Sequence, residues 1–311
     1  MLSAQTLRGV WATVLLDVTE AGDIAMAAIA RQVGASAAAG VDGVYCHGTA
    51  TEVHSLTDAQ ALDVARETVR AAREAGLPVQ VGATHPLAQG TLERIDAFAP
   101  LVPDAIQVTL PDWVPIDTAT AIRFLQGCAA RARGVPLVLY NPPHAKTVLT
   151  PAELADVVAA VPELIGLKTG AGDADWYAAM APLLARLSVF VPGHFYASGL
   201  AQGAHGSYSN IACLSPAGAV GWARMVAADP AGALALEQRI TAFRDAALAP
   251  MLASGLPGLA CDKAMAAAGG WAGIGARLLW PASGASAADI ARIRAEAERH
   301  IPELLPGGGL G

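Results

Sequence analysis

Lysine is scarce in this chain. Lys146, Lys168 and Lys263 stand against seventeen arginines. Charge of either sign is thin, at 15% of the 311 residues where about 25% is usual. No stretch gathers enough basic residues to neutralise a run of phosphates, and the net charge is −7, so nucleic acid is not an expected partner. Cysteine is equally sparse. Cys46, Cys128, Cys213 and Cys261 lie far apart without CxxC spacing, which gives neither a disulfide framework nor a zinc motif and points to a reducing, cytoplasmic setting. Long apolar runs are missing too, despite a mean hydropathy of +0.42. The longest span free of Asp, Glu, Lys and Arg, Leu187 to Ala223, is broken by glycines, Pro192, Pro216, Asn210 and two histidines, so no membrane segment is expected. The N-terminal stretch has no basic region and is interrupted by Arg8 and Asp17, which argues against a signal peptide.

What is abundant is apolar surface, 54% of the chain against about 45 to 50% in ordinary domains. Disorder is thereby excluded, and a homo-oligomer, dimer or tetramer, is expected because obligate interfaces resemble a domain core. Eight short apolar runs recur with amphipathic stretches between them. They are GVWATVLL from Gly9, VDGVYCHGT from Val41, PVQVGATH from Pro78, AIQVTLPDW from Ala105, PLVLYNPP from Pro136, LIGLKTG from Leu164, SVFVPGH from Ser188 and GSYSNIAC from Gly206. Near-continuous hydrophobicity marks strands buried on both faces, the signature of a parallel sheet. Thr57 with Gln60 and Thr150 with Glu153 read as helix capping boxes, the second with Pro151 at the first helical position.

Eight strand–helix units in residues 1–228 predict an α/β fold of the closed (β/α)8 TIM-barrel type, since open doubly wound sheets more often stop at about five or six strands. A C-terminal helical extension over 229–305 follows, including a run capped by Ser286, and 306–311 is expected to be a disordered tail.

In such a barrel the active site lies at the C-terminal ends of the strands. Those ends carry His47 with Thr49, His85, Asp112 with Trp113, Tyr140 with Asn141, Lys168 with Thr169, His194, and Ser209 with Asn210. Lys168 interrupts an apolar strand in a chain that otherwise prefers arginine. Only lysine can lose its proton when buried and become an amine nucleophile. A lysine snorkelling from the strand end or pairing with a buried carboxylate is the alternative. Tyr140 ends the neighbouring strand, where its phenol can serve as a proton shuttle for imine chemistry.

Three motifs fall in register with the predicted strands: Gly48-Thr49-Ala50-Thr51-Glu52 after the second, Tyr140-Asn141-Pro142-Pro143 after the fifth, and Gly166-Leu167-Lys168 in the sixth. With the segment AQGAHGSYSNIA around Tyr208, they make the chain resemble the dihydrodipicolinate synthase and N-acetylneuraminate lyase family of class I aldolases. The resemblance implies a cofactor-free lyase in which Lys168 forms a Schiff base with a pyruvate-like 2-oxo acid or sugar acid and Tyr140 transfers protons. It further implies that the Thr49 and Ala50 amides hold the substrate carboxylate, with the Thr49 hydroxyl linked to Tyr140.

The chain also departs from that family. Ala50 and Thr51 stand where a hydroxyl residue and a glycine are usual. Ala145 replaces the arginine that, in biosynthetic members, binds the second substrate's carboxylate, so authentic dihydrodipicolinate synthase activity is not expected. Leu110-Pro111-Asp112-Trp113 replaces the region that often bears an inter-subunit tyrosine. Asp112, His85, His194 and Tyr208 are expected to contact substrate, while Trp113 and Tyr196 have two readings, the lining of an apolar or aromatic substrate pocket and ordinary packing of the loops after the strands. Four histidines, His47, His85, His144 and His194, fall at the rim, but no HxH or HExxH pair fixes a metal geometry. A metal-dependent barrel hydrolase or lyase using these histidines, and a barrel that binds a keto acid without turnover, are the competing readings.

Overall fold

Every one of the eight apolar runs forms a parallel strand in the computed structural model, which describes residues 1–170 and 172–310. The strands are β1 (Gly9–Thr13), β2 (Gly43–Cys46), β3 (Val79–Gly82), β4 (Ala105–Thr109), β5 (Leu137–Asn141), β6 (Leu164–Thr169), β7 (Ser188–Pro192) and β8 (Gly206–Ser209). They close in sequence order, β1 pairing with β8, so the fold is a TIM barrel. Gly206 lies opposite Gly9 at the closure, where a Cβ would approach the Gly9 carbonyl oxygen to 2.4 Å.

The helices between strands are α1 (Ala27–Ala39), α2 (Asp58–Glu74), α3 (Ala88–Phe98), α4 (Thr118–Arg131), α5 (Pro151–Ala160), α6 (Ala174–Met180) and α7 (Tyr196–Ala201); α8 (Ile211–Leu214) and α9 (Pro216–Ala228) follow β8. Both expected capping boxes form, Thr57 accepting from the Gln60 amide and Thr150 from the Glu153 amide. Each satisfies an amide that the helix start leaves unpaired.

Alternation along each strand sorts the side chains. Leu139 and Leu167 turn outward into the layer between strands and helices. Their neighbours turn inward, where Leu7, Trp11, Tyr45, Ala105, Val138, Phe190 and Tyr208 fill the barrel below the site. The barrel is therefore a plugged cylinder.

After the barrel come α10 (Pro230–Ala247), α11 (Ala249–Ala253), α12 (Gly258–Gly269) and α13 (Ala287–His300), the last capped by Ser286. Helix α12 packs on α8, on α13 and on the 3₁₀ turn Thr49–Thr51 after β2. One ion pair fixes this contact. Lys263 Nζ lies 2.6 Å from Glu52 Oε1, both side chains fully buried, and Glu52 Oε2 accepts the Leu279 amide at 2.6 Å. Residues 306–310 take up a turn in which the Leu310 amide donates to the Glu303 carbonyl at 3.3 Å; Gly311 lies outside the described residues. Among the described residues no helix is long and apolar enough to cross a membrane.

Candidate active site

The register pairs Tyr140 of β5 with Lys168 of β6, so the two side chains leave adjacent strands on the same, inner face. Lys168 Nζ lies 4.3 Å from the centre of the Tyr140 ring, 4.8 Å from that of Tyr45 and 5.2 Å from that of Tyr208. Three aromatic rings therefore surround the amine. Gly48, which opens the loop after β2, leaves the space for this arrangement. A Cβ there would meet the Tyr45 ring at 2.9 Å and Lys168 Nζ at 3.7 Å.

Lys168 opens onto a cavity of about 270 Å³, whose wall includes Thr49, Ala50, Tyr140, Asn210, Cys213 and Asp262. Burial lowers the lysine pKa to about 8, while the negative charge of Asp262 opposes the shift. Burial raises the Asp262 carboxyl to about 7, against the pull of Lys168 and Arg244. The Tyr140 phenol is pushed up by burial as well, with the Thr49 hydroxyl favouring ionisation. Tyr45 and Tyr208 shift the same way for the same cause, and Tyr208 donates to Gln80 Oε1 at 2.6 Å. At neutral pH the three phenols are thus acids, and the lysine is within reach of its free-amine form.

Of the residues singled out from the sequence, Lys168, Tyr140, Thr49, Ala50 and Tyr208 come together on this cavity. His85 and Asp112 do not. They line a separate cleft of about 450 Å³ that shares Thr49, Tyr140 and His144 with the lysine cavity. There His85 Nδ1 accepts the Leu87 amide at 3.0 Å, and Asp112 Oδ1 accepts the Lys146 amide at 2.7 Å, so both organise loops. His194 turns away from both. It is buried against Phe195, its Nδ1 accepts from the Asn210 side-chain amide at 2.8 Å, and burial lowers its pKa to about 3. Its partner Asn210 faces the lysine cavity instead. A strand end fixes where a residue starts but not which way its side chain turns.

His47 lines the same cleft as His85, but its ring is taken up by packing for a backbone reason. It follows the last residue of β2 with φ +60, in the left-handed region, and is buried in a stack with Phe98. The simple alternation that would separate it from Cys46 ends with the strand, and Cys46 Sγ comes to 3.8 Å from His47 Nδ1. Burial sets this thiol at about 12 and this imidazole at about 3, so the pair is neutral at pH 7 and lacks a thiolate. Tyr196 packs in the core against Trp222 and forms no aromatic wall. Among the described residues no three His, Cys, Asp or Glu side chains gather in an arrangement able to hold a metal ion.

The sequence reading missed Asp262, Cys213 and Tyr45. Tyr45 was findable, since it lies opposite Thr13 on the inward parity of β2. Asp262 lies in a helix 94 residues after Lys168, and nothing local marks it.

Comparison with known proteins agrees with the barrel. The structure superposes on YagE, a prophage protein of the dihydrodipicolinic acid synthase family from E. coli K12 in complex with pyruvate, with TM-score 0.83 and 20% identity, covering 94% of this chain and 98% of that one. It is similar to a Ruminococcus gnavus sialic acid aldolase (TM-score 0.83, 18% identity, 98% of both chains). It is also similar to the 4-hydroxy-tetrahydrodipicolinate synthase of Methylacidiphilum fumariolicum SolV (TM-score 0.83, 17% identity, 96% and 98%). No curated protein matches the sequence. The model of the dihydrodipicolinate synthetase family matches residues 6–257, four-fifths of the sequence, and the chain belongs to that family.

Proposed function

We propose that the protein is a lyase of the class I aldolase type, acting on a pyruvate-like 2-oxo acid through a Schiff base on Lys168. The observation that carries this reading is a buried amine, lowered to about 8, standing among three tyrosine rings at the mouth of the barrel. At pH 7 about a tenth of such a lysine is free amine, some three-hundredfold more than at its ordinary pKa of 10.5. The amine attacks the keto carbon, and the carbinolamine loses water to give a protonated imine. That imine draws electrons from the adjacent carbon, so a bond one carbon further out can break or form.

The substrate carboxylate is placed at the Thr49–Thr51 turn, whose first amides precede any acceptor within the turn. Tyr140, held protonated by burial, gives a proton to the departing carbinolamine hydroxyl. Pyruvate bound in a family member of the same fold supports a keto acid of this kind. Ala145 lines the cleft near Tyr140 and bears no charge, so efficient condensation of pyruvate with aspartate semialdehyde is not expected. Leu87, Trp113 and Val114, 60%, 77% and 57% exposed, favour a homo-oligomer. The four cysteines are all free thiols, in keeping with a cytoplasmic setting.

Borohydride reduction in the presence of 2-oxo acids and sugar acids, followed by mass spectrometry, tests the reading. An adduct on Lys168 is expected, with none on Lys146 or Lys263, and its mass reports the carbon skeleton. Absence of any adduct across the panel overturns the assignment, and an adduct without any turnover of its parent acid marks a keto-acid-binding barrel.

A further inference from the structure

Proton transfer at a carbon next to an imine needs a base as well as an acid, and the tyrosines of the site are poor bases. Tyr45, Tyr140 and Tyr208 are all shifted by burial toward the protonated phenol, and the Cys213 thiol likewise toward its neutral form. His144, which also lies on the cavity wall, is exposed to solvent. Asp262 is the one carboxyl among the described residues lining the Lys168 cavity.

Its position is built by the fold. Glu52 follows the Thr49–Thr51 turn in a left-handed conformation, φ 56, and reaches Lys263 of α12 in the buried ion pair. Residue 262 is one step, about 100° of helix, from that anchor, and this rotation brings it to the cavity. Asp262 also lines a second cavity of about 400 Å³ between the barrel mouth and α10 to α12, with Arg244, Leu248, Leu252 and Met265 on its wall. The carboxyl therefore stands where the lysine cavity passes into the space under the helical extension. Asp262 thus shares one cavity with Lys168 and with Thr49 and Ala50, the residues proposed to hold the keto carbon and the carboxylate of a 2-oxo acid. Asp262 lies beyond residues 6–257, the part of the chain matched by the family model.

We propose that Asp262 is the proton-transfer residue for the carbon adjacent to the imine, a proposal that rests on the Schiff-base reading of Lys168. Its carboxylate takes a proton from that carbon; the C–H electron pair becomes the carbon–carbon double bond of the enamine, and the imine π pair returns to the Lys168 nitrogen. The carboxylic acid so formed gives the proton back when the enamine is quenched. Charge and atoms balance with no further reactant. The charged groups that act on Asp262 are Lys168 from β6 and Arg244 from α10, and its own charge in turn raises Cys213 on α8, Tyr45 on β2, Tyr140 on β5 and Cys261 on its own helix. The two cations favour the carboxylate and burial opposes them, which places its titration at about 7.

Deuteration of the pyruvate methyl group in D2O, followed by proton NMR from pD 5.5 to 9, reads this step without knowledge of the second substrate. Wild type is expected to exchange, with a rate that rises through the titration of Asp262. Asp262→Asn is expected to keep the borohydride-trapped pyruvate adduct on Lys168, to exchange at least about a hundredfold more slowly, and to lose the part of the rise that follows Asp262 near 7, leaving only the part that follows the Lys168 amine. Asp262→Ala should recover part of the rate with added formate, a rescue that a structural role would not give. Exchange by Asp262→Asn within threefold of wild type and with the same profile overturns the proposal. So does joint loss of adduct and exchange in a folded Asp262→Asn variant, because the carboxylate would then serve only the lysine. A wild type that traps no 2-oxo acid removes the Schiff-base reading first, and the proposal with it.

Discussion

Replacing Lys168 by methionine should destroy the chemistry and stabilise the protein. Burial depresses the Lys168 pKa from 10.5 to about 8. At 1.36 kcal/mol for each pH unit, this corresponds to about 3 kcal/mol by which the folded state disfavours the charged lysine relative to the unfolded chain. Between pH 8 and 10.5 the unfolded chain binds more protons at this site than the folded one, so stability rises with pH across that window. Below pH 8 the penalty is present in full, and above 10.5 it has gone. Methionine keeps the length and removes the charge. Asp262 loses its counter-ion in the variant, but its carboxyl already titrates near 7 and neutralises at small cost. Isothermal urea unfolding should therefore show Lys168→Met more stable than wild type by up to about 3 kcal/mol at pH 7, with the difference shrinking toward pH 10.5. Equal or lower stability at pH 7, or a gain that does not change with pH, would refute the claim that the site holds a destabilised ammonium.

Tyr140→Phe should still form the borohydride-trapped adduct but lower pyruvate deuteration by about 10²- to 10⁴-fold, since a positioned acid is lost; unchanged exchange in the NMR assay would remove Tyr140 from the mechanism. Exhaustive chelation should leave exchange intact because the imine serves as the electron sink, and restoration of a lost rate by zinc or manganese would favour the rim histidines instead. Glu52→Gln should cost about 3 to 5 kcal/mol in chemical unfolding, because it leaves the Lys263 ammonium buried without its counter-charge; a loss under 1 kcal/mol would show that the pair is replaced by solvent. Light scattering at micromolar concentration should report a dimer or tetramer, and Trp113→Ser should shift the population toward smaller species if this exposed ring lies in the contact.

The strands were legible because a parallel strand buried on both faces has few ways to be written, and GVWAT, AIQVT and LVLYN are nearly pure examples. Lys168 and Tyr140 were legible for a related reason: successive strands in a barrel place residues of the same inward parity side by side. The histidines were not. His85 and His47 line the cleft beside the lysine cavity and His194 lines neither, and none of the three reaches Lys168: a turn amide holds His85, the Asn210 amide holds His194, and His47 leaves the strand through a left-handed backbone. Asp262 was hidden by distance, because the helix that carries it has an ordinary apolar pattern and its orientation depends on Glu52, 210 residues earlier.

The Glu52–Lys263 pair also sets a schedule for the chain as it is made. Its two residues are separated by 211 positions, and at about 5 to 20 residues per second the second follows the first from the ribosome by about 10 to 40 seconds. Until then all eight strands can have emerged, Lys168 among them, while the Thr49–Thr51 turn has no lock and Asp262 does not yet exist. On the proposed mechanism a nascent barrel thus carries the Lys168 amine well before it carries Asp262, and the two meet only with the docking of one late helix.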